Sequence, residues 1–185
     1  MGMDVIGVNP TSKKGEYFRN NVWWWHPLWE YCSVVAPDIC EKVIHAHSND
    51  GDGLDEDDSK ALAKLLIASL KNGDADDYIS QREQYLAGLP TDTCKWCRGT
   101  GMRQWYDKKD GEGCRAVWTS KEQEDGTHIY TCETMNEDEE VSEKQCNVCR
   151  GTGIEKHFAL SYQLNTENIK NFASFLKGCG GFSIC

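Results

Sequence analysis

No stretch of the 185 residues approaches the ~20 consecutive apolar positions that a membrane helix needs, because Lys, Asp or Ser breaks every apolar run. A membrane-spanning helix is excluded. Met1 to Pro10 has neither the basic nor the apolar part of a secretory leader, and Ile6 stands where a myristoylation signal after Gly2 needs Ser or Thr. The expected address is cytoplasmic. Basic residues are also scarce: 20 Lys and Arg against 30 Asp and Glu leave a net charge of −10. That is the wrong sign for a surface that tracks phosphates, so direct nucleic-acid binding is not expected. Ten cysteines in 185 residues fall below the ~8–10% that marks a disulfide scaffold, and without a leader they point to metal. There is no Ser-His-Asp pattern, no phosphate-cradling glycine loop and no convincing carboxylate pair.

At 39% hydrophobic, the chain can build one compact domain, or one domain carrying a smaller module. The first 36 residues read as aromatic and irregular, with Trp23, Trp24 and Trp25 in a row. Three adjacent indoles cannot share one helix or strand face, so at least one should point away from the core. Short helices are expected over residues 38–47 and 76–87, and a longer one over 55–71 with acids in its first turn and Gly73 beyond its end. A last helix should open at Thr166 and Glu167 and dock on the first ninety residues. Between these, residues 91–156 hold six of the ten cysteines. Short β-type runs there (103–106, 115–118, 127–131) are separated by turn signals at Lys109-Asp110-Gly111 and Glu124-Asp125-Gly126.

Within this stretch Cys94-Lys95-Trp96-Cys97-Arg98-Gly99-Thr100-Gly101 recurs as Cys146-Asn147-Val148-Cys149-Arg150-Gly151-Thr152-Gly153. Two residues between thiolates let both sulfurs face one ion, and two such knuckles complete the tetrahedral shell of a structural zinc site. Cys94, Cys97, Cys146 and Cys149 are therefore the expected zinc ligands. Gly99, Gly101, Gly151 and Gly153 permit positive φ and turn backbone N–H groups toward sulfur, while Arg98 and Arg150 can offset the shell's negative charge. Clamping one ion makes the intervening stretch a closed excursion. The expected architecture is α+β: a mostly helical, Trp-rich body from residues 1–90 and 157–185, with a small β zinc module, 91–156, inserted.

The two motifs resemble the cysteine-rich zinc-binding region of DnaJ-type chaperones, whose signature is a Cys-x-x-Cys-x-Gly-x-Gly repeat. That family carries four repeats forming two zinc sites, so two repeats imply one site here. The resemblance also implies that the zinc module holds non-native polypeptide. It covers the two eight-residue motifs alone: the J-domain string His-Pro-Asp is represented only by His26-Pro27-Leu28. The tryptophan run, the Asn49–Gly53 turn and the Gly180–Cys185 ending look similar to uncharacterised bacterial and phage proteins.

Weaker constellations remain. His45 and His47 with Asp50 have the residue types of a second, hydrolytic metal site, though His-x-His shares a face only in a strand. Asn49-Asp50-Gly51-Asp52-Gly53 has the look of a calcium loop but lacks the bidentate acid at its end. Cys32, Cys40, Cys114, Cys132, Cys179 and Cys185 are read as small buried hydrophobes. The resulting expectation is a non-enzymatic, zinc-stabilised factor that binds a protein partner, with a phage-type factor aimed at a host protein as one form of it and the acidic runs 50–58 and 137–140 as a candidate face. The alternatives are a metal-dependent hydrolase using His45, His47 and Asp50, and a thiol-active or peptide-holding chaperone-like protein.

Overall fold

A computed structural model of the protein describes residues 2–107, 118–122, 128–132 and 140–185, with backbone only between 104 and 144. Cys114, positions 115–117 of the strand expected over 115–118, both expected turns and acids 137–139 lie outside the described residues. The chain runs β1 (Gly2–Gly7), α1 (Lys13–Glu16), β2 (Tyr17–Asn21), α2 (Val22–Val35), α3 (Pro37–Cys40), β3 (Gly53–Leu54), α4 (Glu56–Asn72) and α5 (Asp74–Ala87). It continues with β4 (Asp92–Thr93), β5 (Met102–Asp107), β6 (Trp118–Glu122), β7 (His128–Cys132), β8 (Glu140–Gln145) and β9 (Ile154–Glu155). A 3-10 turn (Phe158–Ser161), α6 (Thr166–Leu176) and β10 (Phe182–Ile184) complete it. The fold is α+β. Contacts divide the chain into two compact units, Met1–Leu89 with Phe158–Cys185, and Pro90–His157.

In the first unit the helices stop and start where local chemistry dictates. Asp55 caps α4 by accepting from Asp58 N at 2.8 Å, acids fill the first turn, and Gly73 takes φ 88° at the end. This satisfies orphan N–H groups and complements the helix dipole at both termini. Leu62, Ala63 and Leu66 of α4 face Ile169, Phe172, Ala173 and Leu176 of α6 in one buried cluster with α2. Asn165 caps α6 through Asn168 N at 2.8 Å.

The opening segment is more regular than its composition suggests. Residues expected to be irregular form β1, α1, β2 and the 14-residue helix α2. Pro27 sits inside α2 and cannot donate to the carbonyl of Trp23. That carbonyl instead accepts from Gln163 N at 3.0 Å, so the proline's missing bond fastens the residues before α6 to α2. Of the three adjacent indoles, Trp23 is 42% exposed and Trp25 fully buried. Trp25 stacks on Trp29 with centroids 5.6 Å apart, meets the edge of Phe172 and donates to Ala46 O at 2.7 Å.

A four-stranded antiparallel sheet, ordered β2-β1-β10-β3, closes the unit. Val5 pairs with Ile184 and Phe182 with Leu54, so the last residues of the chain lie between its first strand and its middle. The helix expected over residues 38–47 ends at Cys40, and turns follow. His45 N, which a continuing helix would direct to the preceding turn, donates to the Asp52 carboxylate at 2.8 Å. The same carboxylate accepts from Gly53 N, and these two N–H groups hold its pKa down despite some desolvation. The Asn49–Gly53 turn is thereby a brace between α3 and β3, with its acid engaged by backbone.

Candidate metal centre

In the second unit, four short strands lead into and out of the two knuckles. Thr93 pairs with Ile154 in β4–β9, and Met102 pairs with Gln145 in β5–β8. A shift of 52 residues carries Thr93 onto Gln145 and Met102 onto Ile154. The two halves are therefore related by a pseudo-two-fold arrangement, each knuckle's exit strand pairing with the other's entry strand. Backbone bonds repeat it: Cys94 N donates to Gly153 O at 2.9 Å, and Cys146 N to Gly101 O at 2.8 Å.

Each knuckle turns through residues with positive φ: Arg98 52°, Gly99 84° and Gly101 75°, matched by Arg150 52°, Gly151 82° and Gly153 73°. The turn brings Gly101 N to 3.3 Å from Cys97 Sγ and Gly153 N to 3.3 Å from Cys149 Sγ. N–H groups aimed at sulfur favour the thiolate form. Thr100 locks its knuckle by donating from Oγ1 to Cys97 O at 2.7 Å, and Thr152 does the same to Cys149 O at 2.8 Å.

The four cysteines are all buried, and all their sulfurs lie within 4.8 Å of one another. Such a set can hold a metal ion. Cys94 Sγ is 4.0 Å from Cys146 Sγ, and Cys97 Sγ is 3.6 Å from Cys149 Sγ, again in symmetric pairs. Burial pushes the Cys94 thiol up to about 11. Burial acts upward on Cys149 as well, but the Gly153 and Gly151 N–H groups with the Cys97 and Cys146 thiols bring it down to about 6. The N–H groups and neighbouring thiols thus favour the thiolate form at Cys149.

The remaining expected site residues separate by role. Gly101 and Gly153 bring their N–H groups to 3.3 Å from sulfur, Gly99 supplies turn geometry, and Gly151 supplies both turn geometry and an N–H that acts on Cys149. Arg98 and Arg150 are exposed residues whose backbones adopt the left-handed region, and the Arg150 carbonyl accepts from Gln145 Nε2 at 2.9 Å. His45, His47 and Asp50 are not brought together as ligands. Among the described residues the four cysteines are the one converging group of three or more His, Cys, Asp or Glu. The rings of His47 and His26 lie 4.2 Å apart, tilted by 43°, and Asp50 accepts from Ser48 at 2.5 Å. Burial, then His26, lowers the pKa of His47. Cys32, Cys40 and Cys179 are buried, and burial raises each thiol, Cys40 to about 11, which suits inert packing. Cys185 is exposed rather than buried as expected. Thr100, Thr152 and Gln145 were not singled out in the sequence, although the threonine is repeated in the shared five-residue tail.

The cross-pairing makes one glycine position decisive in each knuckle. A Cβ at Gly153 would lie 2.2 Å from Gly99 O, and one at Gly101 2.3 Å from Gly151 O, both backbone atoms. Gly153→Ala should therefore part the knuckles and weaken metal binding at least tenfold, measured by competition with a metallochromic chelator. Gly88→Ala, whose Cβ would meet nothing nearer than 3.5 Å, should leave it unchanged. Equal affinity of Gly153→Ala and the unmutated chain would contradict the described pairing.

No protein-family model, curated protein or solved structure matches the chain.

Proposed function

We propose that this protein is a zinc-stabilised protein-interaction factor, in which the Cys94, Cys97, Cys146 and Cys149 thiolates hold one structural zinc ion. The observation that carries this reading is the closed, four-sulfur shell. A Zn–S bond of about 2.3 Å gives a tetrahedron with edges of about 3.8 Å, and the two symmetric sulfur pairs lie at 4.0 and 3.6 Å. An all-thiolate set favours zinc over hard cations, and four protein ligands leave no open position for substrate or attacking water. The ion's role is then to fold a surface. The resemblance of both knuckles to the DnaJ-type repeat supports the same use of zinc.

A partner of basic character is favoured by the first unit. A groove of about 490 Å³ over α2, α4 and α5 is lined by Val34 and Leu65, 62% and 42% exposed, and edged by Asp74 and Asp77. Aliphatic walls with an acidic rim suit a basic segment with apolar anchors.

Native mass spectrometry and alkylation test the zinc assignment together. The expected result is one zinc per chain, with Cys94 and Cys97 protected from iodoacetamide in the folded protein until chelator is added. Rapid alkylation of the metal-loaded, folded chain would favour a thiol-active protein instead. A second bound metal that survives loss of these cysteines would favour a hydrolase.

A further inference from the structure

Helix α5 turns one face to a cavity that is separate from the four cysteines and from the acid-edged groove. Ile79, Arg82, Glu83, Leu86 and Ala87, at helical spacing along α5, line a space of about 380 Å³. Its other wall is the chain from Leu160 to Asn165, and Trp24 of α2 contributes an indole. All of these residues belong to the first unit. The walls are tied together by the fold. Arg82 Nη1 donates to Tyr162 O at 2.8 Å, which joins α5 to the far wall, and Gln163 N donates to Trp23 O at 3.0 Å, which joins that wall to α2. Walls fixed in this way make a pre-formed site.

Arg82 is the group whose pairing the fold leaves unfinished. It is partly buried, its bond to Tyr162 occupies one donor of the guanidinium fork, and no acid among the described residues forms an ion pair with it. A guanidinium withdrawn from water without a counter-charge is costly, and a bound anion removes that cost. The fork matches a carboxylate in two parallel bonds. Around it the lining is largely apolar, with Leu86 and Leu164 buried and Trp24 beside them as a flat wall. Glu83 limits the charge that fits: one arginine beside one glutamate suits a single negative charge, which a phosphate dianion exceeds.

We propose that this cavity binds a small organic monocarboxylate with an aliphatic or aromatic body. The carboxylate sits on Arg82, and the body lies against Trp24 and the two leucines. The volume is near the lower end of the ~300–1,000 Å³ typical of small-molecule sites, which favours a free acid over a length of peptide. The three adjacent indoles then divide their work, with Trp25 in the core, Trp23 toward solvent and Trp24 at the ligand. This inference goes beyond the protein-interaction reading and stands or falls separately from it, since it uses neither the cysteine cluster nor the acid-edged groove.

The test titrates the metal-loaded, isotope-labelled full chain with phenylacetate and with hexanoate to about 10 mM, and follows the indole N–H resonance of Trp24 and the Nε–H of Arg82. Saturable shifts of both are expected. Phenylacetamide, the neutral isostere, should bind about tenfold more weakly or worse. Arg82→Gln should weaken phenylacetate by about tenfold or more, and Arg82→Lys severalfold, because an ammonium keeps the charge without the fork. Arg82 also braces Tyr162, so a second variant leaves the fold's bonds alone. Glu83 is exposed and makes no hydrogen bond or ion pair among the described residues. Glu83→Gln should tighten phenylacetate about twofold or more and leave phenylacetamide unchanged. Inorganic phosphate and a tripeptide ending in phenylalanine should both bind more weakly than phenylacetate. Absence of any saturable shift, equal binding of acid and amide, or a Glu83→Gln variant with no gain for the acid would overturn the proposal. Phosphate binding as tightly as phenylacetate would overturn the carboxylate assignment, and tighter binding of the tripeptide would give the cavity to a chain terminus rather than a small molecule.

Discussion

Cys146→Ser should lose its metal and leave residues 90–157 without fixed structure, while residues 1–89 and 158–185 stay folded. The expectation rests on what each unit has for a core. Among the described residues the buried apolar cluster of the second unit consists of the four cysteines alone. Its strands pair two by two, and an isolated two-stranded ladder is marginal in water. Metal binding is worth about 10–16 kcal/mol in zinc-finger peptides near neutral pH, enough to fold such a module outright. The first unit draws on a separate cluster, from Met3 to Ala75 and Leu164 to Ile184, containing no residue of 90–157. Amide hydrogen exchange would read both halves at once. The β5 and β8 amides should exchange at the unfolded rate in the variant, and those of α4 and α6 should keep their protection. Chelation of the unmutated protein should reproduce the pattern. Retained protection in β5 and β8 without metal would refute the account, and collapse of α6 would show that the two units fold as one.

The four-cysteine cluster was legible because its determinants are local and repeated: two residues between cysteines, then a fixed tail. What the sequence did not disclose was how the halves join. The cross-pairing of Thr93 with Ile154 and Met102 with Gln145 depends on residues outside the motif, and β4 and β9 are only two residues long, too short for any periodic signal. The long helix α4 was legible for the opposite reason, since its apolar spacing, acidic first turn and terminal glycine agree. The four-stranded sheet was not. Its strands are two to six residues long, and β10 joins β1 from the far end of the chain, a pairing no local pattern announces. Helix α2 was hidden by its composition, because a proline and three adjacent indoles depress every local signal. Tertiary bonds rescue it, with Asn21 capping Trp24 N and Gln163 N reaching the Trp23 carbonyl. The false helix through His47 failed on one bond, the capture of His45 N by Asp52, seven residues on. The second metal site expected at His45, His47 and Asp50 fails separately, because these side chains do not converge: Asp50 accepts from Ser48 and His47 lies against His26.

Trp25→Ala should be the most damaging single substitution in the first unit, costing about 3–5 kcal/mol. The indole is fully buried, and its loss opens a cavity bounded by rigid neighbours, since Trp29 stacks on it and Phe172 meets it edge-on. Neither ring can collapse far. Trp29 also packs against Phe182 of β10, and Phe172 lies between Phe18 and Phe175. A second cost comes from Ala46, whose carbonyl accepts from Trp25 Nε1 inside the core and would be left without that donor. Trp25→Phe separates the two contributions. Most of the ring volume returns while the N–H does not, so the loss should fall to about 1–3 kcal/mol. Because Ala46 belongs to the turns between α3 and β3, that variant should also speed amide exchange around residues 43–48 more than elsewhere in the unit. Urea denaturation of the two variants, followed by a probe specific to the first unit, gives the comparison. Equal destabilisation by alanine and phenylalanine would place the whole effect in the hydrogen bond. A loss below about 1 kcal/mol for alanine would mean that the aromatic cluster relaxes around the cavity and is less rigid than its ring geometry implies.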